Sequence, residues 1–417
     1  MHPLPTRRSP VAVYALLLAG AFLVYAAANA VVPVAGELRA ELGMSGSGAA
    51  LFLLPFAAGF GVGSFVWFAT ARHRAPRLLL PLALVIIAVA SLPLLFPAGV
   101  ELAVASRFVV GLGAAGYPAV AQAVITRAAT PAARGRMIGG FVMAVVAGSF
   151  AGQAFAGSVA DLGSVEAGLA VVCVVGPLLI AVALWRALAD VPAAAPAPAA
   201  PGTQPGHVHV PAMLRRQWSV LVVAFLSFGG YWLLLSQLPV ALRDDRFDLT
   251  AAQAGALPTI GLLGIVTAWA AGRMADRHGQ RLPLAVMLGL GIVGLALTLP
   301  AGGPLWVFAG GYGAFLAAFW GYMPPASAEV AVRSDAAEHQ PALMAFYAAM
   351  WSGAALAPAL GAVLPTWTGS AAVVLVAWVG ALAVGAATFR TSRGADVARD
   401  GAEAAPGRSV EAAARAR

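Results

Sequence analysis

The sequence predicts an all-α membrane protein: twelve transmembrane helices in two parallel six-helix repeats, with both termini cytoplasmic. Three observations carry that expectation. Hydrophobic residues make up 61% of the 417 and charged ones only 10%, and a soluble fold has too little polar surface to cover so much apolar material. Apolar stretches of about 20 residues, each able to cross a ~30 Å hydrocarbon core, recur along the chain. The basic residues then fall almost entirely on one side of those stretches. Mean hydropathy is +0.85. Soluble enzymes, nucleic-acid binders and disulfide-rich secreted domains are poor readings of such a composition. Cys173 is the single cysteine, so there is no intrachain disulfide and no cysteine-built metal site.

The expected spans cover roughly 11–33, 46–70, 77–96, 101–125, 137–160 and 166–187, then 217–240, 251–271, 282–301, 304–327, 342–364 and 368–389. In lipid each must be a helix, because only then does a lone span satisfy its own backbone. Arg7-Arg8 ahead of the first span, with the alanines near 26–30, imitates a signal peptide. That apolar run is too long for a typical signal core and eleven more spans follow, so it is expected to stay as the first helix.

All 25 basic residues are arginines, and the net charge is +8. With the N-terminus inside, 21 fall on inner stretches, three outside (Arg39, Arg243, Arg246) and one, Arg107, within a span. A miscounted helix would invert every later loop and scatter them. The basic charge is therefore a topology signal, not a nucleic-acid one.

The chain divides into a first six-helix bundle over 1–187, a linker over 188–216, a second bundle over 217–389 and a polar tail over 390–417, expected to be disordered. Only Ala and Pro occupy 192–201, which suits a cytoplasmic connector. His207 and His209 in the linker lack further ligands, so neither a metal nor a cofactor is expected.

Sliding the chain by 205 residues brings Gly59 onto Gly264, Arg72-His73 onto Arg277-His278, Gly116-Tyr117 onto Gly321-Tyr322 and Gly148 onto Gly353. Spans and loops keep one register, so the halves form a parallel repeat about an axis along the membrane normal. The loop after span eight reads Gly272-Arg-Met-Ala-Asp276-Arg277-His-Gly279-Gln-Arg281. It resembles the loop motif Gly-x-Leu-Ala-Asp-Arg-x-Gly-x-Arg of the major facilitator superfamily (MFS). The resemblance covers nearly the whole chain. It implies that Gly272, Asp276, Arg277, Gly279 and Arg281 form a gate whose pairings break during transport; the alternative is that the arginines only anchor the helix. The first-half copy carries Trp67, Ala71 and Arg74 in place of Gly272, Asp276 and Gly279. A charge-based gate is thus expected in the second half.

Arg107 opens Arg107-x-x-x-Gly111-x-Gly113-x-x-Gly116 in span four, which resembles a superfamily fourth-helix motif whose arginine is tied to proton coupling. An intramembrane Arg costs about 2.5–3.5 kcal/mol on insertion scales, so it is read as functional and inward-facing rather than snorkelling. No Asp, Glu or His falls clearly within a span: Glu37, Glu101, Asp161 and Glu329 sit at ends. Proton coupling therefore comes from the resemblance alone, and Arg107 is expected to pair with Gln122, Gln153 or a backbone carbonyl, or else with an anionic substrate. Gly148, Gly152 and Gly157 in span five partly resemble the fifth-helix motif of twelve-helix drug exporters, without its proline.

Tyr25, Asn29, Gln122, Gln153, Ser227, Tyr231, Trp232, Tyr312, Phe319, Trp320, Tyr322, Tyr347 and Trp351 lie near middle depth and supply apolar walls with a few polar groups, as a carrier cavity needs. The resemblance implies a secondary transporter in a bacterial inner (plasma) membrane, working as a monomer. It would move a small organic molecule by alternating access, as an exporter and with protons as a further partner. The rival is a carrier of a small organic anion with Arg107 as counter-charge; a polytopic membrane enzyme is a remote alternative. No nucleic-acid partner and no catalytic residues are expected.

Overall fold

The computed structural model describes residues 10–44, 49–71, 74–96, 99–128, 131–189, 210–300, 303–334, 339–364 and 366–403. His207, His209, Arg72 and His73 lie outside the described residues, as do the side chains of Ala71, Arg127, Arg134, Arg136 and Asp276.

The chain is helical nearly throughout. In order the helices are α1 (Pro10–Asn29), a short α2 (Ala35–Glu41), α3 (Ala50–Ala71), α4 (Pro76–Ser91), α5 (Val100–Ala128), α6 (Pro131–Asp161) and α7 (Val165–Ala187). After the linker come α8 (Val210–Pro239), α9 (Ala251–Ala256, continued by a 3-10 turn into Leu263–His278), α10 (Arg281–Thr298), α11 (Leu305–Val332), α12 (His339–Val363) and α13 (Trp367–Glu403). Every expected span falls on one of them. Among the described residues ten are long and apolar enough to cross a membrane; α11 and α12 are helices of 28 and 25 residues.

Local chemistry explains the ends. Ser164 caps the α7 amide of Ala167 at 3.1 Å, and Thr250 with Gln253 forms a capping box at the start of α9. Gly279 follows α9 at φ +77°, a left-handed turn that a side chain would strain. Within the spans hydroxyls fold back onto carbonyls one turn earlier, as Ser149 does to Val145 at 3.0 Å, so few polar groups meet lipid. Two boundaries differ from expectation. The second bundle's first helix starts at Val210, inside the expected linker, and α13 runs on to Glu403 through Ala- and Arg-rich sequence that favours helix, well into the expected tail.

The repeat is visible in the packing. In the first half α1 packs on α6 and α7, α3 on α5, and α4 on α5 and α7; in the second α8 packs on α12 and α13, α9 on α11, and α10 on α11 and α13. These are the same pairings at equivalent positions. Between the halves α3 meets α12 and α6 meets α9, again a symmetry-related pair. Glycines permit the close crossings: a side chain at Gly148 would run into the Phe22 carbonyl of α1, and one at Gly353 into the Phe225 carbonyl of α8.

Candidate functional site

Arg107 is fully buried in α5. Its Nη1 and Nη2 donate to the carbonyls of Ala27 and Ala28 at 3.4 and 2.8 Å, and its Nε to that of Phe52 at 3.0 Å. The first two belong to the last turn of α1, where carbonyls have run out of helical partners. The third belongs to the first turn of α3. The side chain thus ties the ends of two helices to a third, with its guanidinium 5.0 Å over the Phe56 ring. Of the expected partners the backbone carbonyls are the ones it uses. Gln153 instead donates to Ser149 at 3.0 Å, one turn back in its own helix, and Gln122 is half-buried elsewhere on α5.

The glycines of the Arg107 motif serve three different neighbours. Gly111 faces the Phe56 backbone of α3, Gly113 faces Ile86 of α4, and Gly116 lies under the Trp67 ring. In the fifth-helix motif Gly148 and Gly152 lie on α1, while Gly157 faces the Ala251 carbonyl of α9. Small residues here bring helices together, within a half and across halves.

From Arg107 the rings lead into the second half. Phe56 stacks on Trp232 of α8 at 5.7 Å, and Phe60, one turn along α3, stacks on Trp351 of α12 at 3.7 Å. Phe228 touches Trp232, Trp351 and Phe319, and Tyr231 stacks on Phe319 at 4.2 Å with Trp320 edge-on at 6.4 Å. This aromatic cluster between the halves gathers Tyr231, Trp232, Trp320 and Trp351 from the expected cavity set. Phe319 belongs to that set too, and the structure adds Phe56, Phe60 and Phe228. Phenylalanines carry no polar tip and so do not stand out in an apolar sequence, although Phe56 and Phe60 at i, i+4 on one helix face are a readable pair.

The other expected residues stand apart. Tyr312 sits in a separate knot with Phe308 and Trp367, at 6.1 and 5.8 Å, which packs the second half. Tyr322 lies edge-on between Phe319 and Trp378, at 5.8 and 6.2 Å. Asn29 donates to the Tyr25 carbonyl at 2.9 Å, and its own Oδ1 is unpartnered. Tyr347 is 44% exposed.

At the arginine-poor end the halves are latched. Arg243, just past α8, pairs with Glu37 of α2 at 2.6 Å and donates to the Pro33 carbonyl at 2.9 Å. Asp161, closing α6, accepts from the amides of Ala251 and Ala252 at 3.0 and 3.1 Å. The Ala49 amide also reaches the Ser236 carbonyl at 2.8 Å. Glu37 and Asp161, placed at span ends by the sequence, thus join the two halves; partners 206 and 90 positions apart leave no local trace. The loop motif lies at the other end. Gly279 makes its turn, Arg277 is exposed and Arg281 is half-buried. A side chain at Gly272 would meet nothing within 4 Å, so close packing there is absent in this conformation. Nearby, Arg333 pairs with Glu329 at 2.8 Å and donates to Ser219 at 2.7 Å, within the second half. Among the described residues no group of three His, Cys, Asp or Glu is placed to hold a metal.

The sequence profile of the Major Facilitator Superfamily matches residues 17–358. The chain belongs to that superfamily. Two structures of a bacterial homolog to the human lysosomal transporter Spinster, both inward-facing, share its fold. The unoccupied form has a TM-score of 0.69 at 16% identity, covering 90% of this chain and 95% of that one. The occupied form has a TM-score of 0.70 at 16% identity, covering 91% and 96%. No curated protein sequence matches the chain. As an MFS member the protein is a multi-pass membrane transporter, a secondary carrier of the alternating-access kind, and not an enzyme.

Proposed function

We propose that this carrier moves a small, weakly polar organic molecule out of the cytoplasm of a bacterial cell, as a monomer in the inner membrane. The observation that carries the reading is the aromatic cluster between the halves, where Phe56, Phe60, Phe228, Trp232 and Trp351 meet and the charge at its edge, Arg107 over Phe56, is tied to backbone carbonyls. Such walls suit apolar cargo and give a sugar or a free acid little to hold. The anion reading has less support, because three of the five Arg107 N–H groups that could hold a carboxylate go to backbone carbonyls. The latched arginine-poor end, set against the open surroundings of Gly272, supports an inward-open state in which cargo enters from the cytoplasm.

Both termini are proposed to be cytoplasmic, in keeping with the arginine bias, with two bundles over 1–187 and 217–389 joined by the 188–216 linker. Gating by Asp276 and its neighbours, export rather than uptake, and proton coupling rest on the family resemblance, including its drug-exporter group. The test is counterflow in liposomes holding the purified protein, with and without a pH gradient. Accumulation of lipophilic organic compounds, but not of sugars or small carboxylates, is expected. Counterflow confined to carboxylates would overturn the reading in favour of the anion carrier.

A further inference from the structure

Two ring contacts join α3 to the second half, and both are flat ring on flat ring. Phe60 lies on Trp351 with 17° between the planes, and Phe56 on Trp232 with 14°. Most contacts inside the second-half cluster are tilted or edge-on instead, such as Phe228 on Trp351 at 69° and Tyr231 on Trp232 at 88°. Because α3 belongs to one half and α8 and α12 to the other, access from the arginine-poor side cannot arise until both flat stacks part. Parting leaves ring faces bare, and whatever occupies the space between them replaces the lost contact only in so far as it is flat and polarizable.

Two further facts narrow the occupant. The Trp232 Nε1 is buried and has no partner, a donor in want of an acceptor. An anion is poorly matched here, since ring faces are negative and three of the five Arg107 N–H groups are bonded to the backbone. Phe56 is itself held under the Arg107 guanidinium, so its ring plane is set before any cargo arrives.

Resting on the carrier reading above, we propose that the Phe56–Trp232 and Phe60–Trp351 stacks form a lock between the halves that cargo opens by taking the place of a ring. The carrier then selects flat aromatic compounds bearing an uncharged hydrogen-bond acceptor. Phe60 and Trp351 set that preference, and Trp232 supplies the donor.

The test uses the full chain in lipid nanodiscs and three radiolabelled probes: 2-naphthamide, its fully saturated decahydro analogue and 2-naphthoate. Empty nanodiscs correct for partition into lipid. The naphthamide is expected to bind at least tenfold more tightly than either comparator. Phe60→Leu, which keeps most of the bulk, and Trp351→Leu, which does not, both remove the stack and should each erase most of that preference. Equal affinity for flat and saturated amides overturns the proposal, as does a preference for the naphthoate, binding of none of the three, or a preference unchanged in both variants.

Spin labels on Leu162→Cys and Trp306→Cys, exposed in opposite halves, separate this from failure of the carrier reading; the native Cys173 is buried and stays unlabelled. Two label separations with no preference among the probes leave an alternating carrier without this lock. One fixed separation under every condition counts against the carrier reading itself.

Discussion

The carboxylate of Asp161 accepts a hydrogen bond from the amide of Ala251 at 3.0 Å, so the last residue of α6 caps the first turn of α9 from the other half. A helix N-terminus has amides to spare and a positive dipole end, and here two of those amides are met across the division, beside the local Thr250–Gln253 capping box. Gly157 and Gly255 let the two backbones approach closely enough for it.

This contact predicts an acid response. Burial alone pushes the Asp161 carboxyl up, but the Thr250 hydroxyl, the Ala251 and Ala252 amides and the nearby Arg243 outweigh it and hold it below the usual carboxylate range. A lowered value means the latch is complete at neutral pH and is lost as pH falls through it. Asp161→Asn should weaken the closed state by about 0.5–1 kcal/mol, a two- to fivefold shift toward opening. It should also remove part of the acid-induced opening seen by distance measurements across the arginine-poor end. An identical pH response in the variant would make the contact incidental.

How much of this was legible in the sequence follows from the range of each interaction. Helices in lipid declare themselves one at a time, because each satisfies its own backbone, and so α1 to α13 fall where the apolar runs do, α2 excepted. The Gly272–Arg281 motif and the Gly111, Gly113 and Gly116 spacing were also readable, being local. Pairings between distant segments were not. Nothing in the sequence ties Glu37 to Arg243 or Phe60 to Trp351, and Tyr312 shows the converse: a midspan tyrosine that looked like cavity lining but packs against Phe308 and Trp367.

Arg107→Lys is predicted to slow turnover for every cargo and to lower thermal stability. A lysine keeps the charge but cannot spread donors over the carbonyls of Ala27, Ala28 and Phe52 at once. Each buried carbonyl left without a partner costs about 1–3 kcal/mol. Unfolding followed in detergent, beside transport in liposomes, checks both parts. A lysine variant of unchanged stability would mean that the carbonyls are satisfied some other way.

Gly111→Ala and Gly272→Ala should behave oppositely. A methyl at Gly111 runs into the Phe56 backbone of α3, whereas one at Gly272 meets nothing within 4 Å. The first substitution should destabilise the protein by about 1–3 kcal/mol through overpacking. The second should leave stability unchanged while slowing transport, because its close packing would belong to the opposite conformation. Gly272→Ala with full transport would remove that glycine from the gate.

The first-half copy of the loop motif supplies the last prediction. Trp67 stands where the second half has Gly272, and it is 5% exposed, donates Nε1 to the Leu112 carbonyl at 2.7 Å and covers Gly116. Gly116 and Trp67 are therefore matched: the ring fills what the glycine leaves open and fixes α3 against α5. Restoring the motif glycine by Trp67→Gly should not create a second gate. It should open a cavity and cost about 3–5 kcal/mol, the range for losing a large buried ring. Trp67→Phe keeps most of the volume but drops the hydrogen bond, and should cost about 1 kcal/mol. Chemical unfolding of the two variants checks the order. If Trp67→Gly were as stable as the parent and transported faster, the asymmetry between the two loops would be a brake on transport rather than a packing solution.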